Sequence, residues 1–218
     1  MHWSLCGNSS KEILRKLDVE VEKKEERSVT FFDLRNPDET LKYHSLGIVL
    51  RVRSDLDKQG SSTVKVKVKS TEDFIESGPL SNEEKYKCEE DRYREKISYF
   101  CSLSSESRLN GEEIFSENQK IFFKKQTFEN LDFQKLQVFG PFTNFVWVFS
   151  RSKGFVLEEV RLPDSTSFYE LSLRVPLDEA EKRFQENLDF LQKKNIHLCE
   201  IQESKTLKIL NFFKNKKY

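Results

Sequence analysis

Polar and apolar residues alternate with period two along much of the chain. In 47–53, Ile48, Leu50 and Val52 fall on one side and Arg51 and Arg53 on the other; in 63–69, Val64, Val66 and Val68 oppose Lys65, Lys67 and Lys69. In 85–92, Tyr86 and Cys88 oppose Lys87, Glu89 and Asp91, and in 167–175, Leu171 and Leu173 oppose Glu170, Ser172 and Arg174. Alternation or aromatic and β-branched enrichment predicts further strands over 29–34, 136–139, 144–149 and 154–162. Ser9 or Ser10 can cap a helix of about eighteen residues that places Ile13, Leu14 and Leu17 on one face. A second helix is predicted around 95–103. Pro176 stops the last strand, and Asp178 opens a helix through Ala180, Phe184, Leu188 and Leu191. The closing segment 207–213 is apolar enough to dock on the sheet. Stretches 55–62, 70–82 and 102–118, rich in Ser, Gly and charge, read as loops or short helices.

Four strands thus share one design, an apolar face and a charged face. The ordinary account is a solvated side of an antiparallel sheet. A solvated side usually mixes Ser, Thr and both charges, whereas here two consecutive strands present only cations and the next adds carboxylates. Cations about 7 Å apart along a strand repel unless an anion sits among them. A polyphosphate would supply that charge. If the sheet closes with these faces inward, the lumen becomes an anion-binding tunnel with carboxylates able to hold a divalent ion.

Composition narrows the partners. Lys+Arg 37 against Asp+Glu 37 leaves no net charge, so no whole-protein field favours nucleic acid or an anionic membrane. The 19 Phe are far more than a disordered chain carries, so the protein folds, as a single domain over residues 1–218. No apolar run reaches membrane-spanning length, and Met1 to Ser10 lacks the pattern of a signal peptide, which points to a soluble cytoplasmic protein. Cys6, Cys88, Cys101 and Cys199 show no CxxC spacing and are expected to be reduced, mostly buried thiols. His2, His44 and His197 are too dispersed for a metal cage or a nucleophile's partner to be read from spacing.

At this level the residues resemble a family. Phe31-Phe32-Asp33 followed by Leu41-Lys42-Tyr43-His44-Ser45-Leu46-Gly47-Ile48-Val49-Leu50-Arg51-Val52-Arg53 is similar to the "YFDT... LLKAGISLRIR" region of CYTH domains. These are the triphosphate tunnel metalloenzymes, which include class IV adenylate cyclases, thiamine triphosphatases and inorganic tripolyphosphatases. Lys65-Val66-Lys67-Val68-Lys69 resembles the family's basic strand, and Lys87-Cys88-Glu89-Glu90-Asp91 its R-x-E-x-E strand. Leu157-Glu158-Glu159-Val160 resembles "LDxV", Phe168-Tyr169-Glu170-Leu171-Ser172 resembles "FvEiE", and 204–210 resembles the terminal "kSYlelL". The resemblance implies an α+β fold: an antiparallel eight-stranded closed β-barrel, or tunnel, flanked by helices. It implies Arg51, Arg53, Lys65, Lys67 and Lys87 as ligands of a triphosphate-containing small molecule. Glu89, Asp91, Glu158 and Glu170 would be the carboxylates for Mg2+ or Mn2+.

The departures bear on function. The family's ExExK strand falls by spacing on Met1 to Cys6, where Met-His-Trp-Ser-Leu-Cys offers no carboxylate and no lysine. Glu20-Val21-Glu22-Lys23-Lys24 spells ExExK beyond the helix and reads as a solvated charge run. The second Glu of "FvEiE" is Ser172, and 136–143, where the family is basic, carries no cation. Two readings follow. One is a divergent enzyme, a metal-dependent triphosphatase or adenylate cyclase-like protein; the other is a phosphate-binding or protein-interaction module without turnover. Which triphosphate is bound, hydrolysis against cyclisation, and the oligomeric state, a homodimer included, are not legible from the residues.

Overall fold

The computed structural model describes residues 1–55, 60–69, 84–107, 114–127, 135–150 and 154–215. Among these residues nine strands hydrogen-bond in the order β1-β5-β6-β4-β3-β2-β7-β8-β9, which closes on itself as a barrel. They are β1 (His2–Leu5), β2 (Val21–Asp33), β3 (Ile48–Asp55), β4 (Gly60–Val68), β5 (Glu84–Tyr93), β6 (Lys96–Ser107), β7 (Gln137–Phe149), β8 (Phe155–Arg161) and β9 (Ser167–Leu173). The helices are α1 (Ser10–Leu17), α2 (Lys42–Ser45), α3 (Glu117–Thr127), α4 (Ala180–Lys193) and α5 (Lys205–Asn215). The barrel is therefore nine-stranded and mixed rather than eight-stranded and antiparallel. The short β1 pairs antiparallel with β9 but parallel with β5, through His2 and Tyr93.

The chain divides into two compact units, each with its own core. Unit 1 comprises Met1–Glu26, Asp91–Ile97 and Thr143–Asn211. Its core gathers around Trp3, fully buried and stacked on Phe184 at 5.6 Å, with Leu157 and Leu171 from the sheet and Ile13 and Leu17 from α1. Burying aromatics of this size dominates the stabilisation of such a core. Ser9 caps α1 in a reciprocal box with Glu12, and Asp18, at φ 53°, ends it in the left-handed region. The helix is thus eight residues, not the eighteen that Ile13, Leu14 and Leu17 suggested, because β2 claims the chain from Val21. The Glu22 to Lys24 run opens that strand exposed, in keeping with a solvated charge run.

Unit 2 comprises Arg27–Glu90, Ser98–Phe142 and Phe212–Tyr218. Ile48, Leu50, Val52, Val64 and Val66 form the apolar face that the alternation predicts, packed with Phe122 and Phe123 of α3. Gln119 ties α3 to the sheet: its side chain donates to the carbonyls of Ser62 (3.1 Å) and Leu103 (3.0 Å) and accepts from Ser62 Oγ (2.8 Å). Asp33 of the Phe-Phe-Asp motif is buried and accepts the backbone N–H groups of Leu34, Tyr43 and His44 at 2.7, 2.8 and 2.9 Å, which caps α2. Burial nevertheless raises its pKa above the ordinary carboxylate value.

Further expectations are corrected. Residues 96–107 are a strand, not the helix expected over 95–103, since Ile97, Tyr99 and Phe100 favour extended backbone and β6 pairs with β4 from Val68↔Tyr99 to Gly60↔Ser107. The predicted strands 136–139 and 144–149 are one strand, β7. Of the stretches expected as loops or short helices, 70–82, 56–59 and 108–113 lie outside the described residues, whereas 60–62 belong to β4 and 102–107 to β6, a correction to that expectation. The cysteines are not free thiols: Cys6 bonds Cys199 within unit 1, and Cys88 bonds Cys101 within unit 2. Pairs 193 and 13 residues apart leave no spacing signature, so sequence alone does not reveal them.

Candidate functional site

Each unit carries one polar constellation. In unit 2, register puts the cations on the face opposite the valines. Arg51 lies between Phe31 and Thr63, Arg53 between Val29 and Ser61, Lys65 between Val49 and Ser102, and Lys67 beside Phe100. Direct register partners share a face, so Arg51, Arg53, Lys65 and Lys67 lie together over neighbouring rungs of β3 and β4. Their register neighbours are mixed, with Ser61, Thr63 and Ser102 beside Val29, Phe31, Val49 and Phe100. The ammonium of Lys65 reaches Glu89 Oε1 at 3.3 Å and stands 4.4 Å from the Phe100 ring centroid, while Lys87 pairs with Glu89 Oε2. Glu89 thereby gathers two lysines from β4 and β5. Gly47, at φ +77°, passes so close to β4 that a Cβ there would lie 2.6 Å from Lys67 Cβ, and its carbonyl accepts the Lys67 N–H at 2.8 Å.

In unit 1 the register row Glu158–Glu170–Ser4 runs across β8, β9 and β1. Glu158 and Glu170 are 8% and 3% exposed. Lys205, the first residue of α5, contacts both: its ammonium pairs with Glu158 Oε2 and lies 3.4 Å from Glu170 Oε1. Asn144 Nδ2 donates to Glu158 Oε1 at 2.9 Å, and Tyr93 OH donates to Glu170 Oε2 at 2.7 Å. His2 stacks on Tyr93 and faces carboxylates with both ring nitrogens, Nδ1 to Glu170 at 3.3 Å and Nε2 to Asp91 at 3.2 Å. Ionised carboxylates only accept, so this geometry calls for the imidazolium, which donates from both nitrogens. Burial alone would lower the His2 pKa, but the Glu170 and Asp91 carboxylates outweigh it and hold it above 6.5. Burial, then the Glu170 charge, pushes the Tyr93 phenol well above its ordinary value, so it stays a donor. Glu159, the other acid of the Leu-Glu-Glu-Val motif, lies on the opposite face and pairs with Arg161 at 3.0 Å.

The structure thus brings Asp91, Glu158 and Glu170 into one network in unit 1, and Arg51, Arg53, Lys65, Lys67, Lys87 and Glu89 into unit 2. Sequence reasoning missed Lys205, His2, Tyr93 and Asn144. The available signals were weak: His2 has the parity of Ser4 on β1, and Lys205 sits in the terminal motif. As a metal centre the donor set of unit 1 does not fit. The carboxylate oxygens that would face an ion are engaged by Lys205, His2, Tyr93 and Asn144, and among the described residues no three His, Cys, Asp or Glu side chains are disposed to hold one.

No protein-family model and no curated sequence matches the chain. Solved structures do. HpAC1 of Hippeastrum, a candidate adenylyl cyclase with a dominant triphosphatase activity, aligns at 16% identity over 97% of this chain and 94% of its own, with a TM-score of 0.62. Candidate adenylate cyclases of Vibrio parahaemolyticus (14% identity, 97% of each chain, TM-score 0.52) and Bacillus halodurans (12% identity, 95% of each, TM-score 0.51) align over a similar span. Identities this low speak to fold alone. Together with the closed barrel, they show that this chain shares the fold of these candidate adenylate cyclases.

Proposed function

We propose that the cationic face of unit 2 binds the phosphate chain of a triphosphate-containing small molecule. The observation that carries this reading is the shared face of Arg51, Arg53, Lys65 and Lys67 on adjacent strands β3 and β4. Long arginine and lysine side chains rooted about 7 Å apart along adjacent strands can converge on one phosphate chain and donate charge-assisted hydrogen bonds to it. The Lys65–Glu89–Lys87 cluster supports the same reading, because one carboxylate holds two ammonium groups in place. Binding, rather than hydrolysis or cyclisation, is the activity proposed, since the carboxylates of unit 1 are engaged by the protein's own donors. Any Mg2+ or Mn2+ would arrive on the triphosphate's own oxygens.

Calorimetry against tripolyphosphate, ATP and thiamine triphosphate tests this. At least one should bind at low salt, weaken steeply as salt rises, and lose several kcal/mol, on the order of a hundredfold or more in affinity, in the Arg53→Ala, Lys67→Ala double variant. Absence of binding at low salt would leave the protein-interaction reading in its place, and binding untouched by the double variant would overturn the assignment of the anion to this face.

A further inference from the structure

We propose that Lys205 stands in for a divalent cation between Glu158 and Glu170, so that this carboxylate pair is neutralised from within the chain and closed to Mg2+ and Mn2+. The claim concerns unit 1 and goes beyond the binding proposed for unit 2.

Glu158 and Glu170 are direct register partners on adjacent strands and nearly fully buried. Two such carboxylates repel, and a cation between them is the ordinary remedy. One ammonium touches an oxygen of each, which is how a bridging ion would sit. The other oxygens are also engaged, Glu158 Oε1 by Asn144 and Glu170 Oε2 by Tyr93, so an incoming ion would have to break made hydrogen bonds as well as expel the lysine. The third acid, Asp91, is met by His2.

Lys205 is placed against its local preference. A cation at the first residue of a helix opposes the macrodipole, so its position is not explained by the stability of α5. It is explained by a latch on β1. Gln202 accepts the Ser4 N–H at 2.8 Å and donates to the Ser4 carbonyl at 3.0 Å and the Cys199 carbonyl at 2.8 Å. Ser4 Oγ donates to the Glu203 carbonyl at 3.1 Å, and the Cys6–Cys199 disulfide closes the same junction. The Gln202 side chain and the Glu203 carbonyl, three and two residues before Lys205, therefore tie the chain to the strand beside Glu170. Ser4, facing Glu170 across the sheet, spends its hydroxyl on this latch and adds no negative charge to the cluster.

The test is Mn2+ titration followed by electron paramagnetic resonance on phosphate-free protein, with Lys205→Met and Lys205→Arg as variants. The wild type and Lys205→Arg should leave the free Mn2+ signal unchanged, while Lys205→Met should take up the ion about tenfold or more tighter and gain thermal stability from it. Because no phosphate is present, the outcome does not depend on the function proposed for unit 2. Tight Mn2+ uptake by the wild type that Glu170→Gln abolishes would overturn the proposal. So would a Lys205→Met protein no tighter than wild type. If that variant unfolds, refolding in Mn2+ but not in EDTA supports the proposal, and failure to refold in both overturns it.

Discussion

Replacing Lys205 by Met keeps the length of the side chain and removes its charge, leaving Glu158 and Glu170 side by side at 8% and 3% exposure. Deleting one partner of a buried ion pair typically costs about 3–5 kcal/mol, because the remaining charge has neither water nor a counter-ion. The Lys205 side chain keeps 16% exposure, so some water can follow it in, and about 3 kcal/mol is the expected loss. Urea unfolding followed by circular dichroism reads this as a lower midpoint at unchanged slope. A second substitution, Glu158→Gln, keeps the Asn144 contact at Oε1 within reach of an amide and removes half of the unbalanced charge, so the double variant should recover about 1–2 kcal/mol relative to additivity. A single-variant cost below about 1 kcal/mol, the range of a solvated surface pair, would refute the reasoning, as would strict additivity.

The His2 imidazolium has a pKa above 6.5 in the folded state, so its stabilisation is full below about 6.5 and lost as pH rises through the higher folded value. The stability difference between wild type and His2→Gln should therefore shrink with rising pH, and a difference that grows instead would contradict the ion-paired imidazolium. Gly47→Ala meets both a positive φ and a 2.6 Å approach to Lys67 Cβ, which should cost about 1–3 kcal/mol in thermal unfolding and weaken tripolyphosphate binding by displacing Lys67; an unchanged protein would disprove the close approach. Reducing both disulfides should lower stability by about 2–5 kcal/mol, and equal urea midpoints before and after reduction would count against the bridges. Mass spectrometry after rapid alkylation in the host also tests the cytoplasmic expectation, since disulfides persist in oxidising compartments.

The charged and apolar faces of β3, β4, β5 and β9 were legible because strand periodicity needs only neighbouring residues. Ile48, Leu50, Val64 and Val66 lie in the core, and Arg51 and Lys65 lie opposite, as alternation requires. The helix at Ser9 was legible at its start, where Ser9 and Glu12 form a local box, but not at its end, where β2 pairing competes with helical spacing. The strand 96–107 was misread for the same reason: its pairing with β4, some forty residues earlier in the chain, is non-local. The site divides likewise. Asp91 and Glu170 announce themselves by residue type and parity and Glu158 by its place in the Leu-Glu-Glu-Val motif, whereas Lys205 and His2 reach the acids only after both ends of unit 1 are brought together.

That junction also accounts for the missing acids of β1. A strand that supplied carboxylates beside Glu170 would need a matching cation, whereas Trp3 and Leu5 on one face are buried in the core and His2 and Ser4 on the other are committed to Asp91, Glu170 and Glu203. With His2 supplying one positive charge and Lys205 another, three acids are met by two cations without an ion from solution. Adding a carboxylate at Ser4 would break the latch to Glu203 and raise the negative charge around Glu170 together. The acid-free β1 and Lys205 are thus physically linked: a carboxylate added at Ser4, or removal of Lys205, would each leave an unmet negative charge in a buried place.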